Sequence, residues 1–124
     1  MKEPIIFNNS PKEYINAAVG SSFIIHEWRG SGPDYMHVHY ADDEAWHIIE
    51  GTLTFKFQDR IYEAHKGATV FVPAGTPHTY IANASARYLI ILTKRLNELI
   101  TKLQAMPIDK HKEIMRNYQS EILE

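Results

Sequence analysis

His37, His39, Glu44 and His78 are the residues whose types and spacing could do chemistry together. In a β-strand, side chains at i and i+2 project to one face, with Cβ atoms about 7 Å apart. A strand through His37-Val38-His39 would aim two imidazoles the same way, and metal–nitrogen bonds of about 2.0–2.1 Å let both reach one ion. Glu44 follows a short polar loop, Tyr40-Ala41-Asp42-Asp43, and can add a carboxylate oxygen from the start of the next strand. Asp42 and Asp43 compete with it for that role. His78 follows Pro73-Ala74-Gly75-Thr76-Pro77, a turn that fixes the direction of the chain. Three neutral imidazoles and one carboxylate suit Fe, Mn, Ni, Co, Zn or Cu as divalent ions far better than Ca or Mg. Positions left open on such an ion would admit water or a substrate, which is the requirement for catalysis at the metal.

Composition narrows the field. The chain has 124 residues, 44% hydrophobic and 23% charged, which fits one globular domain with one core. A formal net charge of −2 offers no basic field for a nucleic acid backbone. There is no cysteine, so a metal must be held by nitrogen and oxygen, and seven histidines are available. No apolar run reaches the roughly 20 residues of a membrane span. The start, Met1-Lys2-Glu3-Pro4-Ile5-Ile6-Phe7, is too short and acidic for a secretory signal, so a cytoplasmic location is expected.

The elements that must position these residues are strands as far as Thr93. Phe23 to Arg29 is β-rich and is stopped by Gly30-Ser31-Gly32-Pro33-Asp34. Ala45 to Phe57 carries a long strand signal interrupted at Gly51, with Leu53, Phe55 and Phe57 on one face. Gln58-Asp59-Arg60 reads as a hairpin turn into Ile61 to Ala64; Ala68 to Val72, His78 to Ile81 and Arg87 to Thr93 follow. Many short strands with Gly/Pro turns indicate an antiparallel sandwich or barrel. Beyond Thr93 the spacing changes. Leu96, Leu99, Ile100, Leu103 and Met106 form a helical stripe stopped by Pro107. Asp109 is the expected N-cap of a second helix with Ile114, Met115, Tyr118 and Ile122 on its apolar face. Neither stripe can be buried alone. The two helices lack a basic face, which argues against a DNA-binding module.

The spacing of the chemical residues resembles a known family. Gly32 to Gly51 is similar to the first cupin motif: His37-x-His39, four residues to Glu44, six more to Gly51. Gly67 to Asn83 is similar to the second: five residues to Pro73, then Gly75, two residues to His78 and a later Asn. The leading glycine and Asn83 each sit one residue off the usual spacing, at no ligand position. The resemblance covers roughly residues 20–93, and the tail resembles the small single-domain cupins, of the cupin 2 conserved barrel type, named quercetin dioxygenase-like. It implies an all-β double-stranded β-helix, or jelly-roll barrel, over residues 1–93, with two short C-terminal α-helices in an extension over 94–124 of the same domain. It also implies one divalent transition metal on His37, His39, Glu44 and His78, and a homodimer.

Other residues fall into place by parity. Trp46 and Ile48 share Glu44's face, as wall of a substrate pocket or as core. Tyr35 follows His37 and His39, and Tyr80 follows His78, either as hydrogen-bonding groups near the metal or as packing. Glu44, Tyr35, Trp46 and Tyr80 are thus the candidate catalytic residues, Glu44 as ligand or general base. His26 and Trp28 alternate together and could approach the cavity. Phe55, Phe57 and Phe71 are expected in the core, His47 on the exterior or at an interface, His65 and His111 at the surface. The expected function is metal-assisted action on a small organic molecule, as dioxygenase or isomerase. The alternative is a non-catalytic cupin that binds or senses a sugar or aromatic ligand.

Overall fold

The computed structural model describes residues 3–7 and 17–123. The described chain runs β1 (Ala17–Val19), β2 (Ile24–Trp28), β3 (Met36–His39), β4 (Glu44–Glu50), β5 (Thr52–Phe57), β6 (Ile61–His65), β7 (Thr69–Val72), β8 (His78–Ala82) and β9 (Arg87–Leu92). Helix α1 (Lys94–Ala105), a 3-10 turn (Ile108–Lys110), α2 (His111–Arg116) and β10 (Ser120–Leu123) complete it. These strands form two five-stranded antiparallel sheets, ordered β1-β2-β9-β4-β7 and β10-β3-β8-β5-β6. The jelly-roll expectation is met.

The strand signal across residues 45–57 is divided between the sheets, with β4 in one and β5 in the other. Gly51 makes the crossing with φ 76°, and a Cβ there would lie 2.6 Å from Ala86 Cα. Only glycine fits such a turn without strain. The period of 2 then puts Trp46 and Ile48 from β4, Leu53 and Phe55 from β5, and Tyr88 from β9 on the inner faces, where all five are fully buried.

Helix α1 starts at a side-chain cap: Thr93 Oγ1 accepts from Leu96 N at 3.1 Å. Its stripe of Leu96, Leu99 and Leu103 is buried against the barrel, each side chain stabilising the fold by about 1.5–3 kcal/mol. The helix ends at Met106, extended before Pro107 as the residue preceding a proline prefers. The tail therefore roofs this chain's own barrel.

Three expectations are corrected. The second helix is shorter than its apolar spacing predicts and ends at Arg116; Gln119 takes φ 52°, and the chain turns into β10. Strand pairing outweighs helical continuation there, because β10 lies antiparallel to β3 from Ser120↔His39 to Leu123↔Met36. Ile122 thus packs on the core from a strand. Asp109 sits inside the 3-10 turn instead of capping α2, whose cap position is Lys110 without a side-chain bond. Phe71, expected in the core, is 62% exposed. It lies on β7, an edge strand whose buried Val72 takes the inner face and leaves Phe71 outside.

Candidate metal centre

His37 and His39 lie two apart on β3 and share its inner face; both are buried. β8 runs beside β3 with His78 paired directly to His37, which sets the His37 and His78 rings 4.4 Å apart between centroids. Glu44 opens β4 in the opposite sheet and is 6% exposed. Its Oε1 lies 3.2 Å from His78 Nε2 and 3.6 Å from His39 Nε2. One ligand atom from each of the three histidines falls within 4.8 Å of the others. The structure thus brings the predicted quartet together.

The competing acids have separate tasks. Asp42 is buried, accepts from Thr93 Oγ1 at 3.0 Å and pairs with Arg95 Nε at 3.1 Å, tying the β3–β4 loop to the start of α1. Asp43 Oδ1 accepts from Ala74 N at 2.8 Å. Gly75, at φ 89°, donates its N–H to the carbonyl of His39 at 2.7 Å, so the turn before His78 is bound to β3.

The outer nitrogen of each ring is held. His37 Nδ1 donates to the Tyr35 carbonyl at 3.2 Å and His78 Nδ1 to the Thr76 carbonyl at 2.9 Å. Ser120 Oγ donates to the Tyr118 carbonyl at 3.0 Å, so it accepts from His39 Nδ1 at 2.7 Å. Carbonyl oxygens only accept, so these partners place a hydrogen on Nδ1 in all three rings and turn the Nε2 atoms inward. Burial disfavours the charged form of His37 and holds its pKa well below 6.5, with His78 and His39 adding repulsion. Burial also lowers His39, against the opposing pull of Glu44. His78 Nε2 lies 3.2 Å from Glu44 Oε1, an approach that a ring hydrogen or a shared cation satisfies. The donor set, its burial and its tautomers fit one divalent transition metal.

Ser120 was not legible as a site residue, because its role depends on β10. A Ser120→Ala protein is expected to fold normally and bind metal about 10–100-fold more weakly, as measured by competition with a chromogenic chelator. Unchanged affinity would show that the His39 contact does no positioning.

A cavity of about 580 Å³ opens beside the quartet. Its wall includes Trp46 and Tyr80 near the quartet, His26 and Trp28 from β2, and Asn97 and Gln104 from α1. Tyr80 donates to Tyr88, 2.9 Å away, because the Tyr88 hydroxyl donates onward to the Gly30 carbonyl. Burial pushes the Tyr80 phenol up to about 12. Tyr35 is likewise pushed up to about 12, by burial and then by Asp34. His111, expected at the surface, is instead half-buried on the cavity wall with Nδ1 2.9 Å from Tyr35 Oη. The 3-10 turn ahead of α2 swings it beneath α1, an arrangement no local spacing announces. His47 bonds Thr69 at 2.8 Å on the outside, and His65 is exposed, both as expected.

Comparisons with known proteins agree with this fold. The family model described as Cupin domain matches residues 23–93. A solved cupin-2 domain containing protein from Shewanella frigidimarina superposes with a TM-score of 0.55 at 22% identity, covering 68% of this chain and 84% of that one. A cupin protein from Bacteroides fragilis gives a TM-score of 0.58 at 14% identity, over 76% and 86% of the two chains. An uncharacterized protein of Methanocaldococcus jannaschii is 35% identical over 43 residues, which span 35% of this chain and 34% of that protein. The likeness to the solved structures is one of fold; the family match covers more than half of the sequence. The chain belongs to the cupin domain family.

Proposed function

We propose that the protein holds one divalent transition metal on His37, His39, His78 and Glu44 and acts there on a small organic molecule that chelates through adjacent oxygens. The observation that carries this reading is the convergence of three buried histidines, whose ligand atoms lie within 4.8 Å of one another, on Glu44 Oε1 beside an open cavity. When bound, the metal would supply Lewis-acid polarisation of the chelated substrate, favouring enolisation and isomerisation or, with a redox-active ion, dioxygenation.

The chain's own residues do the rest. The Nδ1 bonds to Tyr35, Thr76 and Ser120 orient the three rings. Glu44 is the carboxylate able to take a proton from a bound substrate. Trp46, Tyr80, Ile90 and Leu92 wall the cavity and exclude water from its inner end. The tyrosines favour a second reading, non-catalytic binding or sensing. Tyr80 has its proton engaged by Tyr88, and Tyr35 donates to His111, so neither is free to act as an acid.

Metal content by mass spectrometry on untagged protein purified without chelator, followed by oxygen uptake and product analysis with a catechol and an α-hydroxyketone, tests these readings. Near one metal per chain with turnover supports the enzyme. One metal with ligand binding and no turnover supports the binding protein. Absence of metal after incubation with each candidate ion would sink both.

A further inference from the structure

The directions of the hydrogen bonds around the cavity have a common result. Carbonyls of Leu103 and Met106 accept from His111 Nε2 at 2.8 and 3.1 Å, so His111 Nδ1 is a lone pair and Tyr35 donates to it. The Tyr88–Gly30 bond makes Tyr80 a donor to Tyr88. The Glu27 carbonyl takes the Nδ1 hydrogen of His26 at 2.8 Å, leaving Nε2 as an acceptor. Tyr35, Tyr80 and His26 therefore offer lone pairs to the cavity, not protons.

The charges point the same way. Among the described residues that line the cavity there is no lysine or arginine, while Glu44 and Asp34 contribute carboxylates. The indole N–H of Trp46 is buried away from the cavity surface, and the Asn97 and Gln104 amides lie on α1. A divalent ion beside Glu44 leaves one net positive charge, which one deprotonated ligand oxygen balances. A further carboxylate or phosphate would face acceptors without a counter-charge, and desolvating such a group unpaired is costly.

We infer that this cavity takes planar, hydroxyl-bearing molecules carrying no ionised acid group beyond the oxygens that meet the metal. The inference rests on the metal-binding reading above and adds the charge class of the ligand. The Trp28 ring beside Tyr80, Ile90 and Leu92 suits a flat apolar body, and the inward lone pairs suit its hydroxyl hydrogens.

The test compares 3,4-dihydroxybenzamide with 3,4-dihydroxybenzoate, which match in size and chelating group and differ by one charge. Both are titrated by calorimetry into Ni(II)-loaded protein freed of excess metal, its nickel content measured on the same sample. The amide is expected to bind at least about tenfold more tightly, a difference on the scale of one unpaired polar group. Gln104→Arg, which places a cation on the exposed face of α1 that borders the cavity, is expected to narrow the gap at least about threefold. Equal or tighter binding of the benzoate overturns the inference, as does binding of neither probe to nickel-loaded protein. A gap unchanged in Gln104→Arg places the discrimination elsewhere and overturns it too. If the protein takes up no nickel, the metal-binding reading itself has failed, which separates the two cases.

Discussion

A His37→Ala/His39→Ala protein is expected to retain less than about a tenth of the metal bound by the unaltered chain, measured by mass spectrometry after dialysis. The two imidazoles are half of the quartet, and the remaining pair, His78 and Glu44, offers too few ligands to hold an ion at this depth. The substituted chain should still fold, because β3 keeps its pairing with β8 and β10, and Val38 stays buried behind it. A His47→Ala/His65→Ala protein is the control. Those histidines lie on the outside, so it should keep its metal and report any adventitious surface binding. Metal retained by the first variant, or lost equally from both, would remove the basis for a buried centre.

Trp46→Ala is expected to destabilise the metal-free protein by about 3–5 kcal/mol in urea unfolding, the range for deleting a large buried aromatic. Trp46 has no exposed surface, and its ring lies 5.0 Å from Phe55, 5.4 Å from Tyr80 and 5.7 Å from His78 between centroids. Alanine leaves a void where both sheets contribute side chains, and a barrel held by strand pairing cannot collapse to fill it. Using metal-free protein keeps the result clear of stabilisation by bound ion. A loss under about 1 kcal/mol would mean that the ring is a movable pocket wall, not the keystone of the core.

The quartet could be read in the sequence because each member has a local cause. Period-2 alternation aligns His37 with His39, the polar loop returns the chain at Glu44, and the Pro73–Pro77 turn delivers His78. Trp46, Ile48, Leu53 and Phe55 were legible for the same reason. Phe71 was not: an edge strand and a central strand carry the same pattern, and only the sheet order exposes one side. Ile114, Met115, Tyr118 and Ile122 fit a helix equally well, and what ends it is the gain from pairing with β3, which lies about 80 residues earlier in the chain. Ser120 and His111 were missed on that account. Their partners, His39 and Tyr35, are 81 and 76 residues away.

That separation orders events during synthesis. A ribosome adding about 5–20 residues per second makes His39 roughly 4–16 s before Ser120. Through that interval β3 is an open sheet edge, and His39 has its inner nitrogen free but nothing to fix its ring. The nascent barrel is thus most open to mispairing, and weakest in its hold on an ion, until residue 120 has emerged. Closing β10 onto β3 then completes the sheet and locks the ligand in one act. On the metal-binding reading proposed above, capture of an ion would follow completion of the fold, so a stalled or prematurely terminated chain would hold it poorly.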